Sequence, residues 1–165
     1  MKKKLTHISI AIILAGATLL YLASYCRPQN SIVTIGDKSF YAEIADTRIT
    51  RQNGLSNRES LGRDHTMLFI FSKAGHYNFV MRKMNFPLDI IFINNNTIID
   101  IKKNLPPEGA APKIFYSAEE VSDMVLEINA GLSDDYNFNI GDKIFLDKKT
   151  NKNHCLLLQN MLKFK

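Results

Sequence analysis

The residues Leu88 to Ile93, Leu-Asp-Ile-Ile-Phe-Ile, constrain the fold of this 165-residue chain more than any other stretch. Successive side chains of a strand point to opposite faces of its sheet, and here both alternating sets are apolar except for Asp89. Such a strand is buried on both sides and belongs at the centre of a sheet. Pro87 disfavours helical geometry at Phe86, so the chain reaches Leu88 already extended. Asp89 is the exception. An isolated carboxylate at the start of a buried strand is costly, so it has to sit at an exposed strand end, pair with a cation, or accept from backbone amides. Arg51, Arg58 and Arg82 are the cations on offer. The expected role is a structural anchor that caps the 84–87 turn or bridges to an arginine, ahead of a place on the rim of a small-ligand pocket and of acid or base catalysis.

The flanking sequence supplies more strands. Ile32–Ile35 and Ser39–Ala45 are joined at Gly36-Asp37, a pair that tolerates positive φ, so the domain opens with a hairpin. Asp46 or Thr47 can cap a short helix that Gly54 ends. Thr66–Ser72, Tyr77–Met81, Leu88–Ile93 and Thr97–Asn104 are strand-like and predict a β-meander. A proline-rich connection, Leu105–Phe115, precedes Ser117, which with Glu120 can make a capping box for one helical turn. Met124–Gly131 resumes as strand, and Leu132–Asp147 closes with a helical turn and a last strand. With 45% hydrophobic and 22% charged residues, the chain suits one compact domain plus an appendage. The fold class is mainly β (a β-rich α+β domain), expected over 31–150 as a small barrel-like antiparallel sheet with two or three short helices. The tail 151–165 carries Leu157, Leu158, Met161 and Leu162 at helical spacing and reads as a docked or frayed terminus, with a short helix as the alternative.

The appendage is at the amino end. Residues 1–7 form a basic n-region, and Ile8–Tyr25 contains no charged side chain. As a helix these 18 residues reach about 27 Å, close to the ~30 Å hydrocarbon core of a bilayer. The expectation is one N-terminal transmembrane helix acting as a signal-anchor in the inner (cytoplasmic) membrane, N-in, followed by a linker at 26–30 and a domain facing the periplasm or cell exterior. A cleaved signal peptide is the competitor, and Cys26 after Tyr25 leaves a lipoprotein or secreted form open. The net charge of +5 is mostly this topology signal, since 18 basic face 16 acidic residues beyond residue 25. No stripe for a phosphate backbone remains, so nucleic acid is not an expected partner. Two cysteines give no disulfide framework.

The candidate ligand-binding residues are Arg51, Arg58, Met81, Arg82 and Asp89. Arg51 and Arg58 are seven apart, about two helical turns, which would place them on one face if Gly54 did not interrupt the helix; one of them could receive a carboxylate or phosphate, although a solvated helix face is the simpler reading. Met67, His76, Met81 and Met84 are soft donors of the kind that select Cu(I), although methionine at these positions is more simply core filling. No zinc or thiol-protease spacing, phosphate loop or Gly-x-Ser-x-Gly elbow is present, so no cofactor and no catalytic residue are assigned.

Five segments, VTIGDKSFYAEIADT, RQNGLSNRESL, MLFIF, FVMRKMNFPLDIIFINNNTIIDI and VLEINAGLSDDYNFNIGDKI, resemble in order and spacing the bacterial and archaeal domain of unknown function 192 family, from about Ile32 to Leu146. The most specific parts are Arg-x-x-Gly-Leu-x-x-Arg at 51–58, Met-Leu-Phe at 67–69 and Pro-Leu-Asp-Ile-Ile-Phe at 87–92. The resemblance implies a small β-rich, barrel-like domain, often behind a signal or anchor, and no assigned activity. Ser56 stands where a methionine is usual, Thr66 where a glycine is usual, and Phe-Val-Met-Arg-Lys-Met where an aromatic-Trp-Met-Lys-Asn-Thr pattern is usual. The functional expectation is a small-ligand-binding or accessory module whose pocket is bounded by Asn78–Asp89, the Arg51–Arg58 turn and the proline-rich loop. The alternative is a structural or protein-interaction module of the cell envelope without a small ligand, so the expected partners are the membrane and an unknown small molecule or envelope protein.

Overall fold

The computed structural model describes residues 31–148. The expected anchor, linker and carboxyl tail lie outside these residues, and among the described ones no helix is long and apolar enough to cross a membrane. The elements in chain order are β1 (Ser31–Ile35), β2 (Lys38–Ala45), α1 (Arg48–Asn53), β3 (His65–Gly75), β4 (Leu88–Asn94), β5 (Thr97–Leu105), β6 (Ser122–Asn129), α2 (Leu132–Asp135) and β7 (Ile144–Asp147). All seven strands join one curled sheet in the order β5-β4-β6-β3-β2-β1-β7.

Local chemistry explains the turns. Gly36 adopts φ 58° in the β1–β2 hairpin, and Asn95 and Asn96 adopt φ 49° and 57° between β4 and β5, the paired positive φ that a two-residue type I′ turn requires. Thr47 and Thr50 form a reciprocal capping box at α1, and Gly54 ends that helix.

The sheet has two buried faces. On one, Val33, Phe40, Leu68, Ile91, Leu126 and Ile144 belong to a core drawn from all seven strands and closed by Leu132 and Phe138. The edges approach each other at one end, where Thr97 bridges Lys143 and Ile98 exchanges hydrogen bonds with Asp142 and Gly141 at 2.9 and 2.8 Å. This partial closure gives the barrel-like curl. On the other face, Phe69, Ile90, Phe92 and Val125 pack under Leu55, Phe79 and Met81, which come from connections. Strand β4 therefore feeds both cores, as its two apolar sets demand, and Phe92 is fully buried, a contribution of roughly 2–3 kcal/mol.

Four expectations change. The middle of the chain is not a meander, because β6 inserts between β3 and β4. The sheet is mixed, since β2 and β3 run parallel, joined by a crossover that contains α1. Tyr77–Met81 is not a strand of the sheet. It crosses over the second face and touches the proline-rich loop through isolated bridges, Phe79 to Tyr116 and Arg82 to Glu108. No helix forms at 117–120.

Candidate functional site

Strand pairing sets an unusual row on the second face. Glu43 on β2 lies opposite Met67 on β3, Met67 opposite Glu127 on β6, and Glu127 opposite Ile90 on β4. Two acids thus project from a surface that is otherwise core. Glu43 is answered by Arg58, whose guanidinium grips both carboxylate oxygens at 2.6 and 2.8 Å. The hydrogen-bonded guanidinium holds the Glu43 carboxyl below its ordinary range, partly offset by burial, and Glu43 in turn raises Arg58.

Glu127 is different. It is 6% exposed and its carboxyl has no hydrogen-bond partner among the described residues. Burial pushes it up to about 8, against a smaller opposing effect of the Arg58 charge. At neutral pH it holds its proton and is a donor rather than an anion.

Glu127 is part of the wall of a cleft of about 240 Å³ between α1 with its following turn and the 76–87 segment. Aromatic rings dominate the apolar part. Phe69 meets Phe79 edge-on at 4.9 Å, and Tyr77 stacks on Phe71 at 3.5 Å. Arg51 and Arg82 also line the cleft. Arg51 donates one nitrogen to the carbonyls of Asp46 and Ile70 and lies 5.1 Å from the centre of the Phe71 ring. Arg82 donates to the Gln52 carbonyl at 2.9 Å. Among the described residues neither forms an ion pair, unlike Arg58.

The segment that carries Arg82 is held firmly. Asn57 donates its N–H to the Lys83 carbonyl at 2.8 Å, and Asn85 donates to the Arg58 carbonyl at 2.7 Å. Ser56 and Thr66, both departures from the pattern the sequence resembles, donate hydroxyls to the carbonyls of Arg82 and Glu127 at 2.8 and 2.6 Å. Their polarity is thereby satisfied at the cleft's own backbone.

The candidates named from sequence separate here. Arg51 and Arg82 meet at the cleft, and Arg58 braces Glu43 beside it. Met81 is 1% exposed and, with Met67 and Met84, packs in the second core, while His76 is exposed. Asp89 belongs to the opposite face and is fully buried, and among the described residues it forms no ion pair with an arginine. It accepts backbone N–H groups of Asn104, Gly131 and Ser133 at 2.8, 3.2 and 3.0 Å. The expected cap of the 84–87 turn is replaced by these amides: Gly131 begins α2 without a capping side chain, and Asp89 supplies one from β4. In the sequence Glu127 is marked only by being an acid within the apolar run Met124–Ile128, and the aromatic wall carries no signal beyond alternation.

Residues 31–146 match the DUF192 family, described as uncharacterized ACR. The chain belongs to this family. It is similar to a crystal structure of a protein of unknown function from Novosphingobium aromaticivorans, with 31% identity, a TM-score of 0.64, and 69% of this chain covering 83% of that one. It is also similar to a Sinorhizobium meliloti structure described as a candidate transcription regulator, with 27% identity, a TM-score of 0.64, and 73% of this chain covering 94% of that one. No curated protein matches.

Proposed function

We propose that this protein is a binding module that takes a small ligand in the cleft between α1 and the 76–87 segment, and that the apolar run Ile8–Tyr25 tethers it to the membrane with the domain outside the cytoplasm. The observation that carries the binding reading is Glu127. Its side chain is nearly buried and its carboxyl makes no hydrogen bond among the described residues, so in the wall of an aromatic cleft it is a polar group open to a ligand. The lysines ahead of the apolar run support the orientation.

Ile114 and Phe115, exposed side by side at 47% and 66% on the proline-rich loop, favour a second reading, an envelope interaction module with no small ligand. A thermal-shift screen of the full-length chain against sugars, carboxylates, nucleotides, phosphate and Cu(I) separates the two. A ligand at ~100 times its dissociation constant adds ~2.7 kcal/mol, or roughly 6 to 15 °C. A shift that disappears in Val80→Trp, which fills the cleft, supports the binding module. No shift with any class rejects it in favour of the interaction module.

A further inference from the structure

We infer that the ligand of this cleft is a small organic carboxylate with a flat, apolar body, an inference that rests on the binding reading above. Three observations converge on it. The first is charge. Arg58, beside the cleft, is neutralised by Glu43, whereas Arg51 and Arg82, which line it, have no carboxylate partner among the described residues. A guanidinium has five donors, and those of Arg51 and Arg82 are only partly used, on three carbonyls in all. The cleft thus presents two uncompensated cations whose fork geometry matches a carboxylate.

The second is the floor acid. An ionised Glu127 would repel an anion, but burial keeps the group protonated through neutral pH, so it offers an O–H donor to the same carboxylate. The one charge that acts on it among the described residues is Arg58 from the turn after α1; Arg51, Arg82 and Tyr77 line the same cleft, and its strand neighbours Met67 and Ile90 carry no charge. Nothing there except Glu127 itself would reject an anion.

The third is shape. The rings of Phe69, Phe71, Tyr77 and Phe79 form the apolar part of the cleft, and about 240 Å³ is below the ~300–1,000 Å³ of pockets for drug-sized ligands. The space suits one ring with its charged group. A sugar would leave two guanidinium groups without a countercharge, and an amine would be repelled by them.

The test is a ligand-observed fluorine NMR titration of the full-length chain with 4-fluorobenzoate, 4-fluorobenzamide and 4-fluorobenzylamine. Only the benzoate is expected to broaden at submillimolar concentration. Its affinity should fall about tenfold between pH 7 and pH 9, because a group titrating near 8 keeps its proton in about one molecule in ten at pH 9. Glu127→Gln, whose amide donates but cannot ionise, is expected to bind with one affinity across that range. Arg82→Met should weaken the benzoate at least about tenfold with its melting temperature unchanged, since its removal costs the fold only one exposed hydrogen bond. Equal binding of the amide or the amine, or a benzoate affinity flat in pH for the unaltered protein, overturns the carboxylate inference and leaves the small-ligand reading standing. Failure of all three probes to bind, together with no shift in the thermal screen, overturns both.

Discussion

Ser133 donates its backbone N–H to a carboxylate oxygen of Asp89 at 3.0 Å, and through that bond β4 holds the start of a helix 44 residues further along the chain. The other oxygen of Asp89 accepts from Gly131 and from Asn104, whose φ of 54° falls in a stretch of β5 where the register with β4 shifts. A bulge frees one amide, a helix start frees two more, and one carboxylate collects all three. Asp89→Asn keeps the shape but turns an NH₂ toward at least one of these donors. It is expected to cost about 2–4 kcal/mol, since each buried group left unsatisfied costs about 1–3. The midpoint of urea unfolding at constant slope measures this, and an unchanged midpoint would refute the bracing role.

Arg58→Met tests the ion pair with Glu43. Both side chains are partly exposed, at 35% and 43%, so the expected loss at pH 7 is only about 1 kcal/mol. Its pH dependence is more diagnostic. Glu43 has a folded pKa below its ordinary 4.5, so its contribution is present above about pH 4.5 and disappears as the pH falls through the folded value. The stability gap between the two proteins should therefore close in acid. Urea unfolding at pH 7 and at pH 3 compares them, and a gap as wide at pH 3 would rule out the ion pair as its source.

The β4–β5 turn offers a change in the opposite direction. Asn96 sits at φ 57°, in a position of the turn that glycine occupies without steric cost. Asn96→Gly is expected to gain up to about 0.5 kcal/mol, because relief of the left-handed conformation slightly exceeds the added freedom of the unfolded chain. Asn96→Val should lose more than about 1 kcal/mol, as a β-branched side chain tolerates this region poorly. Thermal unfolding of the two variants checks the order, which must be glycine above asparagine above valine.

Local pattern was enough for some of this structure and not for the rest, and particular residues show where the boundary falls. Strand β4 was legible because six consecutive residues can be buried on both faces only inside a sheet, and the two hairpins because Gly36 and the asparagines supply positive φ. Tyr77, Phe79 and Met81 do alternate inward, but that alternation marks one buried side and says nothing of a ladder, so the segment looked like a strand. Which strands pair is decided by long-range packing. Hence neither the parallel β2–β3 pair nor the insertion of β6 was readable. The site suffers most from this: the amides that hold Asp89 are 15, 42 and 44 residues away, and Glu127 shares a cleft with Arg51 and Arg82 only once β6 lies between β3 and β4.

Glu127 also predicts an unusual dependence of stability on pH. In the folded chain burial raises its pKa to about 8, from an ordinary value of 4.5. Between these values the folded state keeps a proton that the unfolded state has released, so stability is full below about pH 4.5, falls as the pH rises toward 8, and levels off above it. At 1.36 kcal/mol per unit the fall is bounded at about 5 kcal/mol, and residual burial in the unfolded chain brings the expected value nearer 2–4. Glu127→Gln replaces the acid with a neutral group of the same shape and removes the proton that couples folding to pH. The variant should match the unaltered protein within about 1 kcal/mol at pH 4.5 and exceed it by about 2–4 at pH 8, the direction expected when a group kept for binding is replaced by one that suits the fold. Urea unfolding of both proteins at these two pH values decides the matter. Parallel pH profiles would mean that Glu127 is already ionised in the folded state, and the cleft would then favour a cation.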